Sequence, residues 1–114
     1  MNKKLFSIVL SAIMVVAMAV PTFAASLEKT VTGADNFTKT WELAATSGTM
    51  TMTYGFNTFL VNEDYLFGRS TKYSHTASLK QGTQIVKTDF AEAMTSSDIQ
   101  VQHSNNSVTW MVSW

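Results

Sequence analysis

The chain has 114 residues, no cysteine, and eight basic residues against eight acidic ones. That length fits a single domain, and the lack of cysteine excludes a disulfide framework and any thiolate metal site. A formally neutral chain also lacks the basic excess with which proteins hold nucleic acid or anionic membranes by charge alone.

The N-terminus reads as a leader. Lys3 and Lys4 precede an uncharged apolar run, Leu5 to Val20, and Pro21 introduces the exit Thr22-Phe23-Ala24. This is the layout of a secretory signal peptide over residues 1–24, cut between Ala24 and Ala25. The alternative is a membrane anchor, but sixteen apolar residues fall short of the roughly 20 that a spanning helix needs. The Lys-Lys head and Ala-rich exit have a bacterial, Gram-positive look. Cleavage leaves residues 25–114 as one secreted, extracellular domain that does not span the membrane. Six basic residues then face eight acidic ones, a net charge of −2. A domain that small buries only about 60–65% of the surface its unfolded chain exposes. Trp41, Trp110 and Trp114 are the expected heavy contributors to its packing.

Downstream, the chain alternates in the manner of half-buried strands. Phe37, Lys39, Trp41, Leu43 and Ala45 share one face. Met50, Met52 and Tyr54 alternate with Thr49, Thr51 and Thr53. Gly55 to Thr71 has no clean alternation, and its aromatic content suggests a long connection with a short strand near Thr58–Val61. Its aromatics either cap the open end of the fold or form a functional loop. Tyr73, His75, Ala77 and Leu79 resume the alternation, as do Ile99, Val101 and His103, and then Val108, Trp110, Val112 and Trp114. Asp89 to Met94 competes as a single helical turn. Ser47-Gly48, Gln81-Gly82 and Ser104-Asn105-Asn106-Ser107 supply turns, with Gly82 at a hairpin tip. The pattern predicts an all-β domain, a small antiparallel β-sandwich of six or seven strands. Its inward residues are Trp41, Met52, Leu79, Ile99, Val101 and Trp110, and its last strand reaches at least Ser113.

Few residues suggest chemistry. His75 and His103 lie on apolar faces. They are either a metal or catalytic pair or packed rings bonded to carbonyls and hydroxyls. The sequence holds no cofactor motif and no nucleophile elbow. Glu63 and Asp64 are adjacent, so on a strand they point to opposite faces and cannot converge as an acid/base pair. The aromatics Tyr54, Tyr65, Phe67, Tyr73, Trp110 and Trp114 either line a surface for sugar or lipid headgroups or belong to the core.

Several short stretches resemble the lactococcin 972 family of secreted Gram-positive bacteriocins. Thr51-Met52-Thr53-Tyr54-Gly55 looks like the family's Thr-Trp-x-Tyr-Gly, with methionine in place of tryptophan. Tyr65, then His75, Ala77 and Leu79, resemble its Tyr…His-x-Ala-x-Val stretch. Gly82, Ala91-x-Ala93 and the final Trp114 complete the likeness, which spans Thr49 to Trp114. Residues 26–46 look like an added strand pair. The resemblance implies a β-sandwich exported with a cleaved leader, acting by binding on the envelope of competing bacteria, with the lipid-linked cell-wall precursor (lipid II) as possible partner.

The expected function is therefore an antibacterial binding protein and not an enzyme, requiring no metal or other cofactor and no nucleic acid. A secreted or surface adhesion or structural module without toxicity is the alternative. The candidate binding residues are Tyr65, Phe67, Arg69, Lys72 and Tyr73. They combine aromatic faces with two cations, and the planar Arg69 guanidinium beside Gly68 suits a phosphate group.

Overall fold

The computed structural model describes residues 25–114; the proposed leader lies outside the described residues. Eight strands form: β1 (Ser26–Thr32), β2 (Trp41–Ser47), β3 (Met50–Asn57), β4 (Glu63–Ser70), β5 (His75–Gln81), β6 (Gln84–Ala91), β7 (Ser97–Gln102) and β8 (Ser107–Ser113). They make two antiparallel four-stranded sheets, ordered β1-β8-β5-β6 and β2-β3-β4-β7. The all-β sandwich expected from alternation is present, with eight strands in place of six or seven. Among the described residues no helix is long and apolar enough to cross a membrane.

Alternation fixes which side chains enter the layer between the sheets, because successive residues of a strand point to opposite faces. Met50, Met52, Tyr54 and Phe56 of β3, Leu66 of β4 and Ile99 of β7 come from one sheet. Ala77 and Leu79 of β5 and Val108, Trp110 and Val112 of β8 come from the other. Trp41 and Val101 are inward as expected but only partly buried, packed against this core. Two hairpins turn on glycine. Gly48 (φ 58°) follows β2 and Gly82 (φ 65°) follows β5, a left-handed backbone that costs glycine little. The pairing of β5 with β6 shifts register at Leu79/Lys80, where Leu79 faces Lys87 and Lys80 faces Ile85. Val86 is left as the extra residue of a bulge.

Five sequence expectations are corrected. Gly55 to Thr71 is not a long connection: its ends belong to β3 and β4, and only residues 58–62 form a loop. Phe37 does not start a strand but sits buried in a 3-10 turn, Ala34–Phe37. Asp89 to Met94 is no helical turn, since β6 runs to Ala91. Residues 26–46 do not pair with each other. β1 completes the edge beside β8, and β2 the edge beside β3 in the opposite sheet. The loop after β7 likewise crosses between sheets and closes no hairpin.

The C-terminus is held to its last residue. Ala25 and Trp114 exchange two backbone hydrogen bonds, at 2.9 and 3.0 Å, which extend the β1–β8 ladder. Such pairing prevents the fraying usual at chain ends. The core depends most on Trp110, which is fully buried, and whose indole N–H meets no acceptor among the described residues. Trp110→Ala is expected to cost about 3–5 kcal/mol, most of the stability of a domain this size. Trp110→Phe removes the unpaired donor and should cost clearly less. Urea unfolding of both variants checks this, and an unchanged midpoint for Trp110→Ala would refute it.

Candidate functional site

β4 carries the chemistry at the site. Asp64, Leu66, Gly68 and Ser70 point inward and are buried, while Glu63, Tyr65, Phe67 and Arg69 form the outward row. Arg69 lies opposite Thr51, Phe67 opposite Thr53, and Tyr65 opposite Gly55 on β3. A groove of about 400 Å³ opens over this face, floored by Phe67 and Arg69. Its remaining lining is entirely hydroxylic: Thr49, Thr51, Thr53, Ser70, Thr71 and Ser96. Arg69 is exposed, and it forms no ion pair with any described residue.

Of the five candidate binding residues, Phe67 and Arg69 line this groove. Tyr65 is on the same row, its ring 5.6 Å from that of Phe67, but it is only 8% exposed. Its ring lies across Gly55, where an added Cβ would run into the Trp41 carbonyl oxygen and approach the Tyr65 hydroxyl to 2.7 Å. The Tyr65 hydroxyl donates to Glu42 at 2.8 Å. Tyr65 thus positions the face more than it offers a contact surface. Lys72 and Tyr73 lie outside the groove in the loop between β4 and β5. Their backbone N–H groups both bond the Ser70 hydroxyl at 3.0 Å, and the Lys72 ammonium sits 5.2 Å from the Tyr73 ring centre.

The histidines are both engaged. His75 is buried, with Nδ1 3.0 Å from the Tyr73 carbonyl and Nε2 3.0 Å from the Gly68 carbonyl. Both oxygens only accept, so a singly protonated ring satisfies one of them and a doubly protonated ring both. His103 packs its ring against the core aromatics Phe37 and Phe56, and both of its nitrogens are bonded. Its Nδ1 lies 2.9 and 3.0 Å from the two oxygens of Asp64, and its Nε2 lies 2.9 Å from the Asn106 side-chain oxygen. Its ring stacks on Phe37 at 4.4 Å. Gln81 donates to Asp64 at 2.8 Å and to the Gln102 carbonyl at 2.9 Å, and Ser104 donates to Gln81 at 2.7 Å. Among the described residues neither histidine is bonded to a serine or threonine hydroxyl. Among the described residues no three His, Asp or Glu side chains gather as metal ligands.

The adjacent carboxylates Glu63 and Asp64 do diverge, Glu63 into the outward row and Asp64 into the interior. Asp64 is fully buried. Burial raises its pKa above the ordinary 3.8, while the bonds from Gln81 and His103 pull the other way. No local signal marks this pair, because its two members are 39 residues apart. The residues behind the family resemblance serve structure here: Gly55 makes room for Tyr65, His75 bridges two carbonyls, and Ala77 and Leu79 are core. Comparison with protein-family models, curated proteins and solved structures finds no match for this chain.

Two titrations follow. Burial, reinforced by the bond to Glu42 and its charge, pushes Tyr65 from 10.0 up to about 12. Its contribution to stability is therefore complete below pH 10 and is lost as pH rises through about 12. A tyrosinate absorbance titration should show one late-ionising phenol, abolished in Tyr65→Phe and moved to lower pH in Glu42→Gln. For Asp64, the folded chain holds the proton more tightly than the unfolded chain. Its contribution is full below the ordinary 3.8 and is lost as pH rises through the higher folded value. His103→Ala leaves the buried carboxylate without its histidine partner, a loss of about 3–5 kcal/mol at neutral pH. That loss should shrink in acid, where Asp64 takes up a proton; a deficit independent of pH in urea unfolding would refute it.

Proposed function

We propose that this protein is a secreted antibacterial binding protein of the lactococcin 972 type, acting on the envelope of competing bacteria by recognition and not by hydrolysis. The observation that carries the reading is the Arg69 groove: a guanidinium with no ion pair among the described residues, beside Phe67 and walled by the hydroxyls of Thr49, Thr51, Thr53, Thr71 and Ser96, with Ser70 buried behind them. A guanidinium binds two phosphate oxygens in its plane, hydroxyls exchange hydrogen bonds with sugar hydroxyls in either direction, and Phe67 offers an apolar face to a sugar ring. A phosphate-bearing glycan or lipid-linked cell-wall precursor has this chemistry. The net charge of −2 expected after leader removal leaves no bulk attraction to such ligands, so recognition falls to placed groups. Lys72 and Tyr73 flank the groove, and Tyr65 keeps its floor in place.

A second reading, an adhesion or structural module without toxicity, draws on a different feature. β6 is an edge strand with Ile85, Val86 and Phe90 exposed at 56%, 42% and 62%, and free edges with apolar side chains favour strand-to-strand association. Growth inhibition separates the two. Arg69→Ala should reduce killing of related Gram-positive bacteria at least about tenfold, the loss of one charge-assisted contact of about 1.5–3 kcal/mol, with folding intact. Added precursor should protect cells from the parent protein. An Arg69→Ala variant that kills as well as the parent removes the groove from consideration. A parent that never kills favours the adhesion reading.

A further inference from the structure

The hairpin loop joining β3 to β4 ends in three consecutive apolar residues that the core does not use. Phe59 is 87% exposed, Leu60 85% and Val61 49%. The loop is braced from below. Asn57 Oδ1 accepts the Phe59 N–H at 3.1 Å, Thr40 Oγ1 accepts the Thr58 N–H at 3.1 Å, and the Asn62 carbonyl accepts the His103 N–H at 2.8 Å. The apolar side chains are thus presented on a held backbone and do not fold back onto the sandwich.

We propose that this tip inserts into the interfacial layer of a lipid bilayer and docks one end of the sandwich on a membrane. Phe59 and Leu60 are almost wholly exposed, so the tip offers side chains to be buried and not a cleft for a peptide or helix to enter. Its apolar residues are ringed by uncharged donors and acceptors, Asn57, Thr58 and Asn62, which suit headgroup hydrogen bonding. No basic residue lies between Phe56 and Leu66, whereas Glu63 and Asp64 do. Attachment therefore rests on apolar burial in the headgroup and acyl boundary, to a depth of about 5–10 Å, and not on attraction to anionic lipid. The tip stands apart from the Arg69 groove, which lies toward the other end of β4, so either can fail alone.

The chain has no cysteine, so Leu60→Cys carries a single environment-sensitive nitrobenzoxadiazole label in protein produced from the full-length chain. Ser47→Cys, exposed at the far end of β2, is the control position. With phosphatidylcholine vesicles, the label at position 60 should brighten several-fold and shift to the blue, and the label at 47 should not. Adding Phe59→Asp and Val61→Asp should abolish the response at 60 while circular dichroism stays β-rich, and phosphatidylglycerol should not strengthen it. A silent label at 60, equal responses at both positions, or a requirement for anionic lipid would overturn the proposal. Brightening at 60 on raising protein concentration without vesicles would also overturn it, and would assign the tip to contact with a second copy.

Discussion

Trp110 meets Tyr54 and Trp41 across the space between the two sheets, with ring centres 5.2 and 5.5 Å apart. The contact is the hinge of the architecture because of where each residue stands. β8 lies inside its sheet, paired on one side with β1 and on the other with β5. Tyr54 lies on β3, inside the facing sheet, and Trp41 opens the neighbouring edge strand β2. One indole therefore joins an inner strand of one layer to two strands of the other. With no disulfide available to a domain of about 90 residues, such aromatic contacts carry stabilisation that small secreted folds often draw from cross-links. Pairs of this kind add about 0.5–1.5 kcal/mol beyond area burial.

The layer is closed differently at the end nearest the β3–β4 loop. There the contacts are polar: Asp64 from β4, Gln81 from β5, His103 and Ser104 from the loop after β7. Burying a carboxylate costs several kcal/mol unless its oxygens are satisfied, and here each oxygen has a donor within about 3 Å. An apolar plug of equal volume would stabilise at least as well. What the polar one adds is direction. Asp64 accepts only where Gln81 and His103 both arrive, which ties the crossing loop and the second sheet to one position on β4 and disfavours a slipped register. The same loop, through the His103 N–H, also holds the Asn62 carbonyl, so the plug and the apolar tip share a support.

Most of the strands were legible because their inward residues are apolar and their outward ones are threonine, serine or charged. β3, β5, β7 and β8 all read this way. β4 did not, for a physical reason: it inverts the rule. An acid, Asp64, points inward, and two aromatics, Tyr65 and Phe67, point outward, so Tyr65-Leu66-Phe67 reads as an unbroken apolar run. Two of these inversions are compensated by partners remote in sequence, His103 for Asp64, and Gly55 with Glu42 for Tyr65. Periodicity in a window cannot register such partners. Phe37 misled in the same manner, since it fits the alternation of β2 but enters the core from a 3-10 turn and stacks on His103. The sheet to which each strand belongs was also illegible, because Ser104–Ser107 has hairpin composition yet crosses between layers. The groove was half visible. Phe67 and Arg69 stood out as types, whereas the hydroxyl wall depends on the β3–β4 register and on Ser96.

Placing an aromatic row on the outside of β4 and an apolar loop at its start gives that strand two distinct ends. Arg69 lies six residues from Glu63, about 20 Å along an extended strand. If the proposed tip insertion and the proposed groove ligand both hold, upright strands place the guanidinium well above the headgroup layer, where it meets a glycan or phosphate of the cell wall and not a phosphate at the lipid surface. A phosphate at the lipid surface is within reach of Arg69 only when the sandwich lies over, with the outer face of the β2-β3-β4-β7 sheet turned toward the membrane. In that posture Phe67 and the threonines approach the headgroups, and the three tip residues enter at a shallow angle. The distance between tip and groove thus ties the chemistry of the proposed ligand to the tilt of the protein on a membrane, and a measured tilt discriminates between a wall polymer and a membrane-anchored precursor without the ligand being identified first.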